Sequence, residues 1–167
     1  PEVAALTEFP VVFGFALDCC PDASTGFPPA DDEMTRTIER PVMLEGRLFN
    51  PERADEIVAS PQFMVTYHKS VGDTVTLHLA TPRQVNPEYD GSGEPPRGPR
   101  IVARIVGVGR SPLASLEADG LGQKGGVLAS PALFRHYRAN IMGTTGQTYI
   151  NAFVRLKGGV AAVSAFR

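Results

Sequence analysis

Three histidines, two adjacent cysteines and one dense acidic run are the residues of this 167-residue chain whose types could do chemistry. His68, His78 and His136 are scattered, and no H-E-x-x-H sets two imidazoles one helical turn apart for zinc. His78 falls on the polar side of an alternating stretch. His68 and His136 come late in short helical patterns, where a positive charge suits the helix dipole. A hydrolase with a Ser-His-Asp site assembled in space near His78 or His136 is the enzymatic alternative, but no G-x-S-x-G turn presents a nucleophile. Cys19 and Cys20 stand in a polar turn between Asp18, Pro21 and Asp22, and neither CxxC spacing nor further metal ligands accompany them. Adjacent Cα atoms about 3.8 Å apart fall short of the usual disulfide separation. The pair is therefore expected as two separate thiols, with a redox switch or a bridge to another chain as the alternatives.

The acidic run Asp31-Asp32-Glu33 cannot converge on calcium as an EF-hand loop does, so it reads as a solvated loop or the acidic opening of a helix. Asp55, Glu56 and Asp73 sit at turns beside strands, where carboxylates accept bonds from backbone N–H groups. Gly120-Leu121-Gly122-Gln123-Lys124-Gly125 matches G-x-G-x-x-G, but it precedes a strand-like segment instead of opening a helix, so it reads as a surface loop. No catalytic, cofactor-binding or metal-ligating residue emerges, and the chain is expected to be noncatalytic and cofactor-free.

The elements that must carry these residues are short. Phe9–Leu17 reads as a buried strand, followed by a loop over Asp18–Arg40 with a helical turn at Asp31–Ile38. Pro41–Phe49 and Glu56–Ala59 read as strands. Ser60-Pro61 supplies an N-cap and a first-turn proline for a helix to His68. Asp73–Ala80 alternates Val75, Leu77 and Leu79 with polar residues, the signature of a half-buried strand. Thr81–Pro99 is a Pro/Gly excursion, and Arg100–Val108 returns as the antiparallel partner. Gly126–Ala129 is a strand, and Ser130-Pro131 starts a second helix, so that EIVA-SP and GVLA-SP repeat one strand–helix pattern. Thr148–Leu156 is a further strand leading into a terminal helix.

Composition agrees with this. Seventeen glycines and fifteen prolines favour turns and short strands, and 43% hydrophobic with 20% charged residues is ordinary for a globular domain. A net charge of −2 argues against nucleic-acid binding through a basic face. No signal peptide and no membrane-length apolar run is visible, and the uncapped C-terminal helix suggests a piece of something longer.

The succession PVMLEGRLFNPERADEIVAS, HKSVGDTVTL, RIVARIVGVGRSP, GGVLASPALF and YINAFVRLKGG resembles the extracytoplasmic, MacB-like periplasmic core domain of FtsX-family ABC transporter permeases. The likeness covers about Pro41 to Gly159. It implies an α+β fold with mixed and antiparallel sheets and two lobes: residues 1–40 with 148–167 next to the membrane, and residues 41–147 distal. It also implies a place on the outer face of the cell membrane, in a permease driven by a separate cytoplasmic ATPase, with a second permease copy among the partners it allows. The expected function is noncatalytic: coupling the ATPase cycle to an external protein or lipoprotein, or handling a peptide, lipoprotein or lipid-like substrate. The resemblance carries no active-site residue. The alternative is a freestanding secreted or cell-surface binding module using Phe27, Tyr89 or Tyr137 as anchors, against ordinary packing of those rings.

Overall fold

A computed structural model describes residues 2–10, 15–25, 28–86, 94–110, 124–145 and 150–166. The fold is α+β. Its strands are β1 Val3–Pro10, β2 Phe15–Leu17, β3 Ser24–Thr25, β4 Val42–Gly46, β5 Glu56–Ala59, β6 Thr74–Leu79, β7 Arg100–Arg110, β8 Gly126–Ala129 and β9 Ile150–Leu156. Short helices are α1 Pro61–Thr66, α2 Pro82–Val85, α3 Pro131–His136, α4 Arg138–Met142 and α5 Val163–Phe166. A π-helical turn covers Met34–Ile38. No helix among the described residues is long and apolar enough to cross a membrane.

β1 and β9 form a separate antiparallel pair, with Phe9 stacked on Phe153 at 4.6 Å. The other strands make a mixed sheet in the order β2-β6-β7-β5-β8-β3, and β4 pairs with β7 beyond the end of β6. The outermost strands of that order, β2 and β3, are consecutive in sequence and lie against each other, so the sheet curls around its core. The period-2 pattern decides what that core contains. Val75, Leu77 and Leu79 of β6 face Ile101, Ala103 and Ile105 of β7 on one side, and Phe63 of α1 and Leu133 of α3 plug the interior. The expected division at residue 40 does not follow these sheets. Phe15 and Leu17 point into the large core, so β2 and β3, both within residues 1–40, belong to the large sheet while β1 belongs to the small one.

A bulge in β7 directs the rest. Ile57 pairs with Ile105 but Val58 pairs with Gly107, so Val106 is an extra residue on the β7 side. Val106 joins Val58 and Phe49 in a second apolar cluster separate from the main core. There the backbone of residues 46–47 crosses directly over 106–107, with Arg47 N–H donating to Val106 O at 3.0 Å. A Cβ on Gly107 would collide with Arg47 O, and one on Gly46 with Val106 O.

The two Ser-Pro units occupy adjacent lanes. β5 and β8 pair antiparallel with Val58 opposite Leu128, so the repeated pattern is related by a local two-fold. Their serines differ in use: Ser60 Oγ accepts from Phe63 N at 3.2 Å and Gly126 N at 3.0 Å, whereas Ser130 Oγ donates to Arg53 O at 2.6 Å.

Candidate functional site

The densest charged grouping sits where the 46–47 crossover meets β5. Because the crossover fixes the Arg47 backbone above β7, its guanidinium reaches across to Glu56 on the neighbouring strand. Arg47 Nη1 and Nη2 donate to the two Glu56 carboxylate oxygens, each at 2.8 Å. Asn50 N donates to Glu56 Oε2 at 2.8 Å, and Arg53 Nε stands 3.4 Å from Oε1. Arg53 also grips Asp55 through two bonds of 3.1 and 2.7 Å. The side chain of Glu56 is 9% exposed. The Arg47 hydrogen bonds hold its carboxyl well below the usual range, at about 2, against the opposing effect of burial. Glu56 in turn raises the Arg47 guanidinium.

These residues border an open cleft of about 520 Å³ with Gly72 and Arg104 on its far wall. Its chemistry is that of a clamp. Both Glu56 oxygens are engaged, and a carboxylate so strongly held as an anion is unsuited to proton transfer near neutral pH. Among the described residues Arg104 makes no side-chain ion pair, and no hydroxyl or thiol nucleophile lines the cleft. Two of the three carboxylates expected to accept backbone N–H bonds do so, Asp73 Oδ2 from Ser70 N at 2.9 Å and Glu56 from Asn50 N, while Asp55 accepts from the Arg53 side chain. What sequence reasoning missed is that Glu56 is also the centre of an arginine pair. Arg47, Arg53 and Glu56 lie within one short segment, but their spacing alone does not bring them together.

A second polar group crosses the outer end of β2, β6 and β7. Asp18 lies 3.5 Å from His78 Nδ1 and 3.7 Å from Arg100 Nε, and its N–H extends the ladder by donating to Thr76 O at 3.1 Å. His78 is 14% exposed in its side chain. Directly after Asp18, Cys19 and Cys20 are joined by a disulfide, with Cα atoms 3.8 Å apart. This corrects the expectation of two separate thiols. That expectation rested on the spacing of cysteines remote in sequence. Here the chain leaves strand geometry in a turn, Cys20 N–H donating to Leu17 O and Ala23 N–H to Cys20 O, so the two side chains no longer point to opposite faces.

The histidines do not come together: His68 follows α1, His136 ends α3 against Tyr137, and His78 is on β6. No group of three or more metal-ligating side chains occurs among the described residues. Asp31 ties the acidic run to the small sheet, its Oδ1 accepting from Thr7 Oγ1 at 2.8 Å and Glu33 N at 2.9 Å. Lys124 of the glycine string pairs with Asp22 at 2.6 Å, and residues 120–123 lie outside the described residues. Tyr137 packs against the main core, while Phe27 and Tyr89 lie outside the described residues.

The chain matches no protein-family model and no curated protein.

Proposed function

We propose that the chain is a noncatalytic extracytoplasmic domain of an ABC transporter permease, of the FtsX-like kind, that couples an ATPase-driven cycle to an external protein, lipoprotein, peptide or lipid-like substrate. The observation that carries this reading is the pairing of β1 with β9, sealed where Lys157 N–H donates to Glu2 O at 2.9 Å. It sets the first and last strands of the fold side by side, an arrangement that suits insertion between two membrane helices. The residues behind the resemblance support the same reading, because they act as fold joints. Gly46 and Gly107 permit the crossover, Arg47 and Glu56 lock it, and Ser60 caps α1.

The test is the full-length native gene product, fractionated and probed with protease added to intact spheroplasts. An integral membrane protein whose domain is cleaved from outside is the expected result. A soluble product, or a domain accessible only after lysis, overturns the proposal.

A further inference from the structure

The Cys19–Cys20 disulfide lies at the seam of the large sheet. β2 and β3 are the two ends of the hydrogen-bonded strand order, and only residues 18–23 connect them. β3 is held to β8 by a two-residue parallel register, Ser24 with Gly126 and Thr25 with Val127. The turn that delivers the chain from one seam strand to the other is the one the disulfide ties, through the Cys20–Leu17 and Ala23–Cys20 backbone bonds.

The two sulfur-bearing residues are not equivalent. Cys19 is exposed, whereas Cys20 is 1% exposed and belongs to the main core with Phe15 and Leu17. Their acidic neighbours are both paired with cations, Asp18 with Arg100 at 3.7 Å and Asp22 with Lys124 at 2.6 Å. Without those cations, two carboxylates beside the pair would repel an incoming thiolate and disfavour a thiolate product. With them, both carboxylates are paired and exposed Cys19 is open to attack.

We propose that Cys19–Cys20 is a thiol-exchange site that locks the β2–β3 seam when oxidised and loosens it when reduced, its co-reactant being a dithiol. The thiolate of the dithiol attacks Cys19 Sγ, the accessible end, and the Cys19–Cys20 bond breaks. The Cys20 sulfur leaves with the electron pair and takes up a proton, becoming a neutral thiol that packs in the core as a small apolar group. The second thiol of the dithiol then attacks the mixed disulfide and releases Cys19 as a thiol. In sum, one protein disulfide and one dithiol become two protein thiols and one disulfide of the co-reactant. Reduction loosens the turn, and β3 is then held by its two-residue ladder, the turn's own backbone bonds and the Asp22–Lys124 pair.

The experiment follows maleimide addition by mass, and backbone hydrogen exchange, on the folded chain with and without dithiothreitol. Without reductant, no maleimide adds. After native-state reduction, Cys19 is modified first and Cys20 at least about tenfold more slowly, because burial protects it. Amides of residues 20–25 exchange at least about tenfold faster than in the oxidised chain, while those of Leu77 and Ala103 do not change. Cys19→Ser, which cannot form the bond, shows the same fast exchange without reductant. The proposal is overturned if both thiols of the untreated chain are freely modified. It is equally overturned if the bond is reduced only after the chain unfolds, or if exchange at residues 20–25 is the same in both redox states.

Discussion

Glu56→Gln tests how much of the fold depends on the clamp beneath the 46–47 crossover. The carboxyl is brought from an ordinary 4.5 to about 2, chiefly by Arg47. At about 1.4 kcal/mol per pH unit, that shift corresponds to about 3 kcal/mol. The Arg47 side chain is 57% exposed, and water screening of its end reduces the expected contribution to about 2 kcal/mol. The folded-state pKa lies below the unfolded one, so the stabilisation is complete above about pH 4.5 and disappears as the pH falls towards about 2. Glutamine keeps one acceptor for Asn50 N but turns an amide NH2 towards the Arg47 fork, replacing an acceptor with a donor. Urea unfolding at pH 7 should therefore find the variant about 2 kcal/mol less stable than the parent chain. At about pH 2.5 the gap should shrink below about a quarter of that value, since the parent then carries a mostly protonated Glu56 in its unfolded state. Other carboxylates titrate in both proteins and cancel in the difference. A gap that is the same at both pH values, or that is already under about 0.5 kcal/mol at pH 7, would refute the assignment of Glu56 as the clamp.

The remaining predictions concern the joints around that clamp. Ser60→Ala removes one oxygen that serves both the first turn of α1 and Gly126 N, and should cost about 1–2 kcal/mol in urea unfolding. Gly107→Ala places a methyl against the carbonyl oxygen of Arg47, backbone against backbone, and should cost about 3 kcal/mol or more. Gly109→Ala, two residues on, meets the side chains of Met43 and Val58 at 3.2 and 3.3 Å and should cost about 1 kcal/mol or less, because a methionine can move aside. Equal losses in the two glycine variants would remove the crossover as the reason for Gly107.

What the sequence revealed and what it hid follow one physical division. β6 was legible because its alternation is local, and Val75, Leu77 and Leu79 are all buried as the pattern requires. β5 and β8 were legible as short apolar runs ahead of Ser-Pro. β1 was not: Glu2, Thr7 and Glu8 dilute its pattern, and its partner β9 lies at the far end of the chain. Residues 9–17 read as one strand, whereas β1 ends at Pro10 and β2 starts at Phe15, each in a different sheet. Inside the Pro/Gly excursion, α2 was hidden by composition, although Thr81 and Gln84 form a capping box around Pro82. The Arg47–Glu56 pair could not be read from spacing alone, because a guanidinium nine positions away reaches Glu56 only after the chain has crossed the β7 bulge. The disulfide was misread by applying a separation typical of distant cysteines to neighbours in a turn.

The hidden features have a common character, and it bears on the proposed function. Each one depends on placement in the fold and not on a local pattern: β1 beside β9, Arg47 on Glu56, and the β2–β3 turn between the two ends of the large sheet. Among the described residues, the carboxyl held furthest below its ordinary value is Glu56, kept as an anion between two arginines that fix the backbone around it. Under the proposed coupling function, joints of this kind would stay closed while a few other places in the chain yield. Under the proposed thiol exchange, the turn holding Cys19 and Cys20 is one such place, because the strand that follows it is paired over only two residues.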